Sequence, residues 1–316
     1  MDKKKLGRSD LLVSPLTFGG NVFGWTIDEE KSFQLLDTFF AAGFNFVDTA
    51  DGYSKWVPGN KGGESETIIG KWMKKRGNRK DIIIATKVGA DMGDGKKGLK
   101  SNYIKQAAAA SLERLQTDYI DLYQSHHDDL ETTVAETMSG LNELIKEGKV
   151  RYIGASNLSA ERIKASNDFA RKNNLQSYNS LQPLYNLYSR QKFEDEYLKL
   201  VTDEELAVIP YYSLASGFLT GKYRSEADLD KSQRGQGIKK YLDDRGLSIL
   251  AAMDQVAAEQ NVQLSQIAIA WSLNKPFITS AIASATSIKQ LDELIDATSL
   301  KLSDEQMVVL NNASAY

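Results

Sequence analysis

Four side chains that can carry charge or transfer protons follow apolar runs of the sequence. Asp48 ends the run FNFVD and Tyr53 lies in the loop after it, whereas Lys87 and His126 end the runs IIIATK and YIDLYQSH. A charge directly after an apolar run lies close to a buried core, where an unpaired ion is costly. We therefore expect Asp48 and Lys87 to form a partly buried ion pair, with the ammonium near the phenol of Tyr53.

This set has the chemistry of a proton-donating site. A tyrosine titrates near pKa ~10 in water, and a neighbouring cation stabilises its phenolate. We therefore expect Lys87 to lower the pKa of Tyr53 and to make the phenol a stronger acid toward a developing alkoxide. His126 can donate a hydrogen bond to a carbonyl oxygen and orient it. The set contains no nucleophile, so its natural complement is a hydride donor.

The elements that must position these residues are visible as a repeated pattern. Short apolar runs rich in β-branched and aromatic residues alternate with longer amphipathic stretches, which is typical of βα units. Consecutive apolar residues, as in IIIA, indicate strands buried on both faces. The predicted strands cover 14–20, 44–48, 81–88, 118–126, 149–156, 178–186, 207–213 and 277–284. The predicted helices cover 30–42, 65–75, 101–115, 132–146, 159–172, 193–202, 246–274 and 288–297.

Eight such units predict an α/β fold, a (β/α)8 TIM barrel, with chemistry at the C-terminal ends of its strands. We expect one domain over residues 1–316, with residues 1–13 forming a β-hairpin across the barrel floor and turning at GRSD, 7–10. Ser159 and Ser303 have the sequence of helix N-caps, and Gly43 and Gly148 that of left-handed C-caps. The longest predicted loop covers 222–244.

Composition narrows the class of partner. The net charge of −3 gives no basic surface for nucleic acid or acidic membranes, which leaves a small molecule as the expected partner. With no cysteine and two histidines, we expect neither disulfides nor a metal site. No stretch resembles a signal peptide or a membrane span, so a cytoplasmic location is expected. Nothing in the composition indicates an oligomeric state.

The ordered motifs resemble those of the aldo-keto reductases, most closely the bacterial members that are also similar to potassium-channel beta subunits. They span nearly the whole chain: KKLGRSDLLVSPLTFGG, NFVDTADGYS, IIIATKVG, DYIDLYQSHHDD, GKVRYIGASN, LQPLYN, IPYYSLASGFLTGKY and SIKQLDEL. The resemblance places the family's catalytic tetrad on Asp48, Tyr53, Lys87 and His126, with His127 as a neighbour. It implies reduction of aldehydes or ketones to alcohols by hydride transfer from NADPH, with Tyr53 as the general acid.

The same resemblance implies a set of cofactor-binding residues. Ser156, Asn157 and Gln182 match the residues that hold the nicotinamide carboxamide, and Tyr211 matches the aromatic residue that stacks on the ring. The other matched positions are Asp48 of the tetrad, Gly20 and Asn21 in the first loop, Tyr212, Ser213, Leu214, Ser216, Gly217 and Lys222 near the pyrophosphate, and Ser284, Thr286, Gln290 and Glu293 near the adenosine.

The adenosine end departs from the family pattern. Leu294 stands where the family usually has Asn, and YYS stands where YSP is frequent. Lys289 or Arg234 can meet a 2′-phosphate, because a phosphate needs cationic or amide donors. NADPH is therefore the expected cofactor, with NADH as the alternative.

Trp25 and Trp56 lie in polar loops at the predicted barrel mouth, so we expect them to line an apolar substrate pocket. Structural alternatives exist: an Asp–Lys pair can serve packing, His126 can be a core histidine, and Ser156 with Asn157 can cap the next helix. Two other functions fit parts of the sequence. One is a sensor that binds NADPH and docks on a partner, as a channel beta subunit does. The other is a barrel isomerase that uses Lys87 as a Schiff base, which leaves the cofactor motifs unexplained.

Overall fold

The computed structural model describes residues 2–231 and 235–316. Within them the strands are β1 (Lys4–Lys5), β2 (Leu12–Val13), β3 (Leu16–Gly19), β4 (Phe46–Asp48), β5 (Ile83–Val88), β6 (Ile120–Ser125), β7 (Val150–Ser156), β8 (Ser180–Gln182), β9 (Ala207–Val208) and β10 (Ala281–Ala283). The α-helices are α1 (Glu29–Ala41), α2 (Glu64–Arg76), α3 (Ser101–Leu115), α4 (Val134–Lys146), α5 (Ala160–Lys172), α6 (Leu198–Asp203), α7 (Asp244–Gln260), α8 (Leu264–Leu273), α9 (Ile288–Ala297) and α10 (Asp304–Ala313).

Strands β3 to β10 form one parallel sheet in the order β10-β3-β4-β5-β6-β7-β8-β9. The two ends of this order meet: Thr279 N donates to Val208 O at 2.9 Å, and Ile282 N donates to Pro210 O at 3.0 Å. These bonds close the sheet, and the helices lie between successive strands along the chain. The prediction of a (β/α)8 barrel is confirmed.

The N-terminal hairpin covers the opposite end of the barrel from the strand C-termini. β1 and β2 pair antiparallel, with Lys5 opposite Leu12. The buried side chains of Leu6 and Leu11 belong to one apolar cluster with Phe46 and Ile83, the first residues of β4 and β5. Because the strands begin at this end, the hairpin lies across the barrel floor, as the sequence predicts.

The prediction of one long helix over 246–274 is wrong, because the structure has two helices there. The chain leaves α7 at Asn261, whose φ of 54° is left-handed, and α8 restarts after Gln263, which forms a capping box with Gln266. Asparagine tolerates the left-handed conformation better than most residues. The apolar periodicity continues on both sides of the break, so pattern alone did not show it.

Three predicted strands are much longer than those observed. The runs at 178–186, 207–213 and 277–284 contain paired segments of only three, two and three residues, Ser180–Gln182, Ala207–Val208 and Ala281–Ala283. Pro183 and Pro210 closely follow the first two segments, and proline has no N–H to continue a ladder. The predicted loop at 222–244 includes two 3-10 turns, Glu226–Lys231 and Gly235–Tyr241.

Local signals at helix ends are confirmed. Ser159 Oγ accepts from Arg162 N, and Ser303 forms a capping box with Gln306. Gly43 and Gly148 adopt φ of 87° and 73°, a conformation that glycine reaches without a steric cost. Along the described ranges, no helix combines the length and apolar character needed to cross a membrane.

Candidate active site

The four tetrad candidates meet at the C-terminal edge of the barrel. Asp48 is the last residue of β4, Lys87 lies one residue before the end of β5, and His126 directly follows β6. Tyr53 lies in the loop between β4 and α2. In a parallel barrel, side chains from the ends of adjacent strands face one another, which explains why residues up to 78 positions apart share one site.

Lys87 is the centre of the hydrogen bonds in this site. Its Nζ donates to Asp48 Oδ2 at 2.7 Å, to Thr49 O at 2.7 Å and to Tyr53 Oη at 2.9 Å. Tyr53 Oη donates to Asp48 Oδ2 at 3.1 Å. Lys87 is fully buried and Asp48 is 1% exposed. The expected ion pair is present, and it is far more deeply buried than a surface pair.

Asp48 is held on its other side by two amides. Its Oδ1 accepts from Gln182 Nε2 at 2.8 Å and from Gln124 Nε2 at 3.4 Å. Sequence reasoning missed Gln124. Alternation along β6 could have found it, because Gln124 lies two positions before His126 and residues two apart point to the same face of a strand.

The expected lowering of the pKa of Tyr53 is wrong in direction. Burial raises the pKa of Tyr53 well above its ordinary value, and the charge and hydrogen bond of Asp48 raise it further. Burial lowers the pKa of Lys87, against the opposing effect of the Asp48 carboxylate. Desolvation of the phenolate therefore outweighs the stabilisation expected from the ammonium. The consequence is a phenol that keeps its proton at neutral pH.

His126 lies beside the phenol and is neutral. The ring centroids of Tyr53 and His126 are 6.2 Å apart, and His126 stacks on His127 at 4.5 Å. Burial lowers the pKa of His126 well below its ordinary value, and the charges of Lys87 and His127 lower it further. A neutral imidazole offers one N–H and one acceptor nitrogen. Nδ1 of His126 is buried and has no hydrogen-bond partner among the residues that the structure describes.

The four residues matched to the nicotinamide lie together beside the tetrad. Asn157 Nδ2 donates to His126 O at 2.9 Å and to Ser156 Oγ at 3.1 Å. Tyr211 Oη donates to Asn157 Oδ1 at 2.8 Å, and Ser156 Oγ donates to Gln182 O at 2.9 Å. Ser156 and Asn157 thus bond within this cluster, whereas Ser159 caps the following helix.

The stretch matched to the pyrophosphate has an unusual backbone. Tyr212, Ala215, Ser216 and Gly217 have φ of 57°, 47°, 59° and 103°. Left-handed non-glycine residues cost free energy, and they cluster at ligand-binding segments. Ser213 is buried and donates to Pro210 O at 3.4 Å, Leu214 packs against the core, and Lys222 is exposed. Tyr212 is 50% exposed.

Residues from both ends of the chain meet at the edge of β3. Ser284 Oγ donates to Asn21 Oδ1 and to Gly19 O, both at 2.7 Å. Gly20 begins a 3-10 turn, and a Cβ there would lie 2.9 Å from Asp48 O. The close approach of this turn to the catalytic strand therefore requires glycine.

The remaining adenosine candidates divide into three groups. Thr286 N and Oγ1 both donate to Gln290 Oε1, at 2.9 and 3.0 Å, at the start of α9. Glu293 accepts from Ser265 Oγ of α8 at 3.3 Å, and Leu294 is buried in the core. Arg234 lies outside the described residues.

The two candidate pocket tryptophans contact each other, and Trp56 also lies beside the phenol. The rings of Trp25 and Trp56 pack edge to face at 5.4 Å, and Trp56 lies 6.2 Å from Tyr53. Trp56 is 51% exposed. A partly exposed aromatic pair beside a buried polar group has the form of a small-molecule site, with apolar walls and few polar groups. Across the described residues, no group of three or more His, Cys, Asp or Glu side chains is arranged to hold a metal ion.

The comparisons with known proteins place this barrel in a class of oxidoreductases. The model of the aldo/keto reductase family matches residues 15–315. The chain belongs to this family, whose members generally use nicotinamide cofactors.

Proteins with several different names are similar in sequence to this chain. Norsolorinic acid reductase of Aspergillus flavus is 33% identical over 320 residues, covering 96% of this chain and 78% of that protein. A probable voltage-gated potassium channel subunit beta of Oryza sativa subsp. japonica is 35% identical over 305 residues, covering 94% and 91%. The oxidoreductase YqkF of Bacillus subtilis is 32% identical over 317 residues, covering 99% and 96%.

Proposed function

We propose that this chain reduces aldehydes or ketones to alcohols with NADPH, and that Tyr53 is the general acid. The observation that carries the proposal is the hydrogen-bonded set Asp48–Lys87–Tyr53, in which Asp48 and Lys87 are buried and the phenol lies beside the exposed Trp56. Its groups supply a proton but no nucleophile. A bound nicotinamide cofactor supplies the hydride.

The residues present fit such a cofactor. Asn157, Ser156 and Gln182 offer amide and hydroxyl groups within one hydrogen-bonded cluster, which can exchange their mutual bonds for a carboxamide. At Gly217, φ is 103° and a Cβ would lie 3.7 Å from Lys222 Cε. The left-handed backbone here lies beside the exposed cation of Lys222, and a backbone turn of this kind with a neighbouring cation suits a phosphate. These residues would hold the carboxamide and the pyrophosphate, respectively.

The chain's own groups then handle one proton. Tyr53 donates its phenolic proton to the oxygen of the reduced carbonyl as the C–O double bond becomes a single bond. Lys87 donates a hydrogen bond to the phenolate oxygen left behind, and Asp48 holds Lys87 in place. The high pKa of Tyr53 keeps the proton on the enzyme until an alkoxide, a stronger base, develops. His126 offers a neutral N–H that orients the carbonyl oxygen.

The pocket favours an apolar, preferably aromatic, substrate. Trp25 and Trp56 present ring surface beside Tyr53, and the neighbouring His126–His127 stack adds two more rings. Aromatic rings pair in offset or edge-to-face arrangements at centroid distances of about 4.5–7 Å. An aryl aldehyde fits this wall better than a charged sugar phosphate.

Changing Tyr53 to Phe tests the proposed acid. With a nitrobenzaldehyde as substrate, we expect Tyr53→Phe to lower kcat/KM between about 10² and 10⁴-fold, because only the donated proton is lost. The rate of NADPH oxidation is followed by absorbance, and the Kd for NADPH by fluorescence quenching. Cofactor affinity should stay within about twofold of wild type, since the ring of the side chain remains. A Tyr53→Phe variant with full activity would show that another group is the acid.

The similarity to a potassium channel subunit beta supports a second candidate, a protein that binds the cofactor and docks on a partner. The two functions differ in turnover. A wild-type protein that binds NADPH tightly, yet oxidises none of it across a panel of aryl, alkyl and keto substrates, would favour the docking function.

A further inference from the structure

A second buried carboxyl lies behind Lys87, on the loop that joins Asp48 to Tyr53. Asp51 is 2% exposed, and its backbone N–H donates to Lys87 O at 3.4 Å. Neither of its carboxyl oxygens has a hydrogen-bond partner within residues 2–231 and 235–316. Burying a carboxylate without hydrogen-bond partners costs free energy, so such a group lowers the stability of the fold.

Charged and phenolic groups on α2, α3, β5 and β6 surround Asp51. Glu66 of α2 is fully buried and accepts from Arg114 Nε of α3 at 2.6 Å and from Thr86 Oγ1 of β5 at 2.5 Å. Tyr103 of α3 and Tyr123 of β6 also interact electrostatically with Asp51, as does Lys87 itself.

These surroundings decide the charge of Asp51. Burial and, after it, the carboxylate of Glu66 raise the pKa of Asp51 to about 7, against the weaker opposing effects of the Arg114 and Lys87 charges. The negative charge of Asp51, in turn, raises the pKa of Lys87 and opposes the lowering by burial. Asp51 therefore acts electrostatically on the group that hydrogen-bonds Tyr53 Oη.

We propose that Asp51 is a positioning residue for proton transfer: its carboxyl, buried behind Lys87, holds the ammonium form of Lys87 when ionised and releases this hold when protonated. The proposal rests on the proposed function for its catalytic consequence. In carbonyl reduction, the ammonium of Lys87 must stabilise the phenolate of Tyr53 after the proton has left. Ionised Asp51 thus extends reductase activity to higher pH.

Asp51→Asn tests this, because the amide copies the shape of the protonated carboxyl without its charge. The probe is the full-length protein with [¹³Cε]lysine, in which loss of a signal in Lys87→Met assigns Lys87. We expect Asp51→Asn to lower the proton affinity of Lys87 about tenfold, because the interaction with a single charge through protein at intermediate distance changes an affinity by about this factor. An unchanged Lys87 midpoint would overturn the proposal. Asp94→Asn, a charge removal on an exposed loop, is the matched control and should leave the midpoint unchanged.

The pH profile of kcat supplies the catalytic readout. In Asp51→Asn, the alkaline loss of carbonyl reduction should begin about one pH unit lower than in wild type, with KM for the aldehyde unchanged. Coincident profiles would overturn the proposal. If wild type reduces no carbonyl, the proposed function fails, and the Lys87 titration still tests Asp51 by itself.

The effect of Asp51→Asn on the stability of the fold can be measured separately from its effect on Lys87. The pKa of Asp51 is raised in the folded state, so its contribution to stability is present at acid pH and is lost as pH rises through about 7. Asp51→Asn removes this loss, so the excess of its urea midpoint over that of wild type should be larger at pH 8 than at pH 5. The same difference at both pH values would contradict a carboxyl that titrates between them.

Discussion

At the residue scale, Tyr53 experiences two opposing influences. Lys87 Nζ donates to its oxygen, which favours the phenolate, while burial and Asp48 favour the phenol. In this structure the second influence is the larger. An acid that is weak before the reaction and is hydrogen-bonded by an ammonium afterwards holds its proton against water, yet gives it up to an alkoxide.

The buried pair Asp48–Lys87 should behave differently from a surface pair. Asp48→Asn and Lys87→Met each leave one buried charge without its counter-ion, so we expect each to lower the free energy of unfolding by about 3–5 kcal/mol. The double variant should lose less than the sum, because it leaves no uncompensated charge. Urea unfolding of the four proteins at pH 7 measures the coupling.

The exposed pair Lys199–Asp203, at 2.5 Å, is the matched control. Its coupling should be about 0.2–1 kcal/mol, since solvent screens both ions. Effects at Asp48 and Lys87 that simply add, within about 0.5 kcal/mol, would contradict the pairing inferred from their distance.

At the element scale, the contact between α2 and α3 is set by a glycine. A Cβ at Gly70, in the middle of α2, would overlap Arg114 O and lie 2.6 Å from the carbonyl carbon of Leu115. This close approach brings Arg114 within reach of Glu66, at 2.6 Å. The ion pair between Glu66 and Arg114, close to Asp51, therefore depends on the spacing of α2 and α3.

Gly70→Ala should destabilise the protein, although alanine is the better helix former. Propensity favours alanine by about 0.5–1 kcal/mol, but overpacking against backbone costs about 1–3 kcal/mol. We expect a net loss of about 1–2 kcal/mol in chemical denaturation. Lys74→Ala, an exposed site on the same helix, should change stability by less than about 0.5 kcal/mol. A Gly70→Ala variant more stable than wild type would show that the helices can separate freely.

At the scale of the whole molecule, closure of the barrel brings the two ends of the chain together. Asn21 follows the first barrel strand and Ser284 follows the last, and their side chains are 2.7 Å apart. The proposed cofactor site therefore draws on segments separated by 263 residues. The proposed adenosine end of that site lies at α9, where Lys289 is exposed in the first turn.

The proposed preference for NADPH over NADH is tested at the adenosine end of the proposed cofactor site. If Lys289 meets the 2′-phosphate, Lys289→Ala should raise the Kd for NADPH about tenfold, the value of one charged hydrogen bond, and leave the Kd for NADH unchanged. Fluorescence quenching titrations with both cofactors measure the four constants. Lys301→Ala, which removes an equal charge from an exposed site beyond α9, is the control. Equal wild-type affinities for NADH and NADPH would contradict the proposed preference.

Much of the fold was readable because barrel strands and helices carry strong, local patterns. The alternation of apolar runs and amphipathic stretches, the caps at Ser159 and Ser303, and the glycines at 43 and 148 depend on neighbours in sequence. The single helix predicted over 246–274 failed for the same reason, since its apolar period continues through Asn261. The break needs a left-handed residue, and asparagine signals one weakly.

The sequence by itself determined which residues stand at the strand ends, and hence that Asp48, Lys87, Tyr53 and His126 share one site. Strand periodicity and chain order are local properties that a parallel barrel converts into proximity. Only the tertiary structure decided the charge balance there. Burial of Tyr53 outweighs the ammonium of Lys87, Gln124 joins Gln182 on Asp48, and Asp51 lies unpartnered behind the pair. Desolvation depends on everything packed around a group, and that comes from helices and strands distant in sequence.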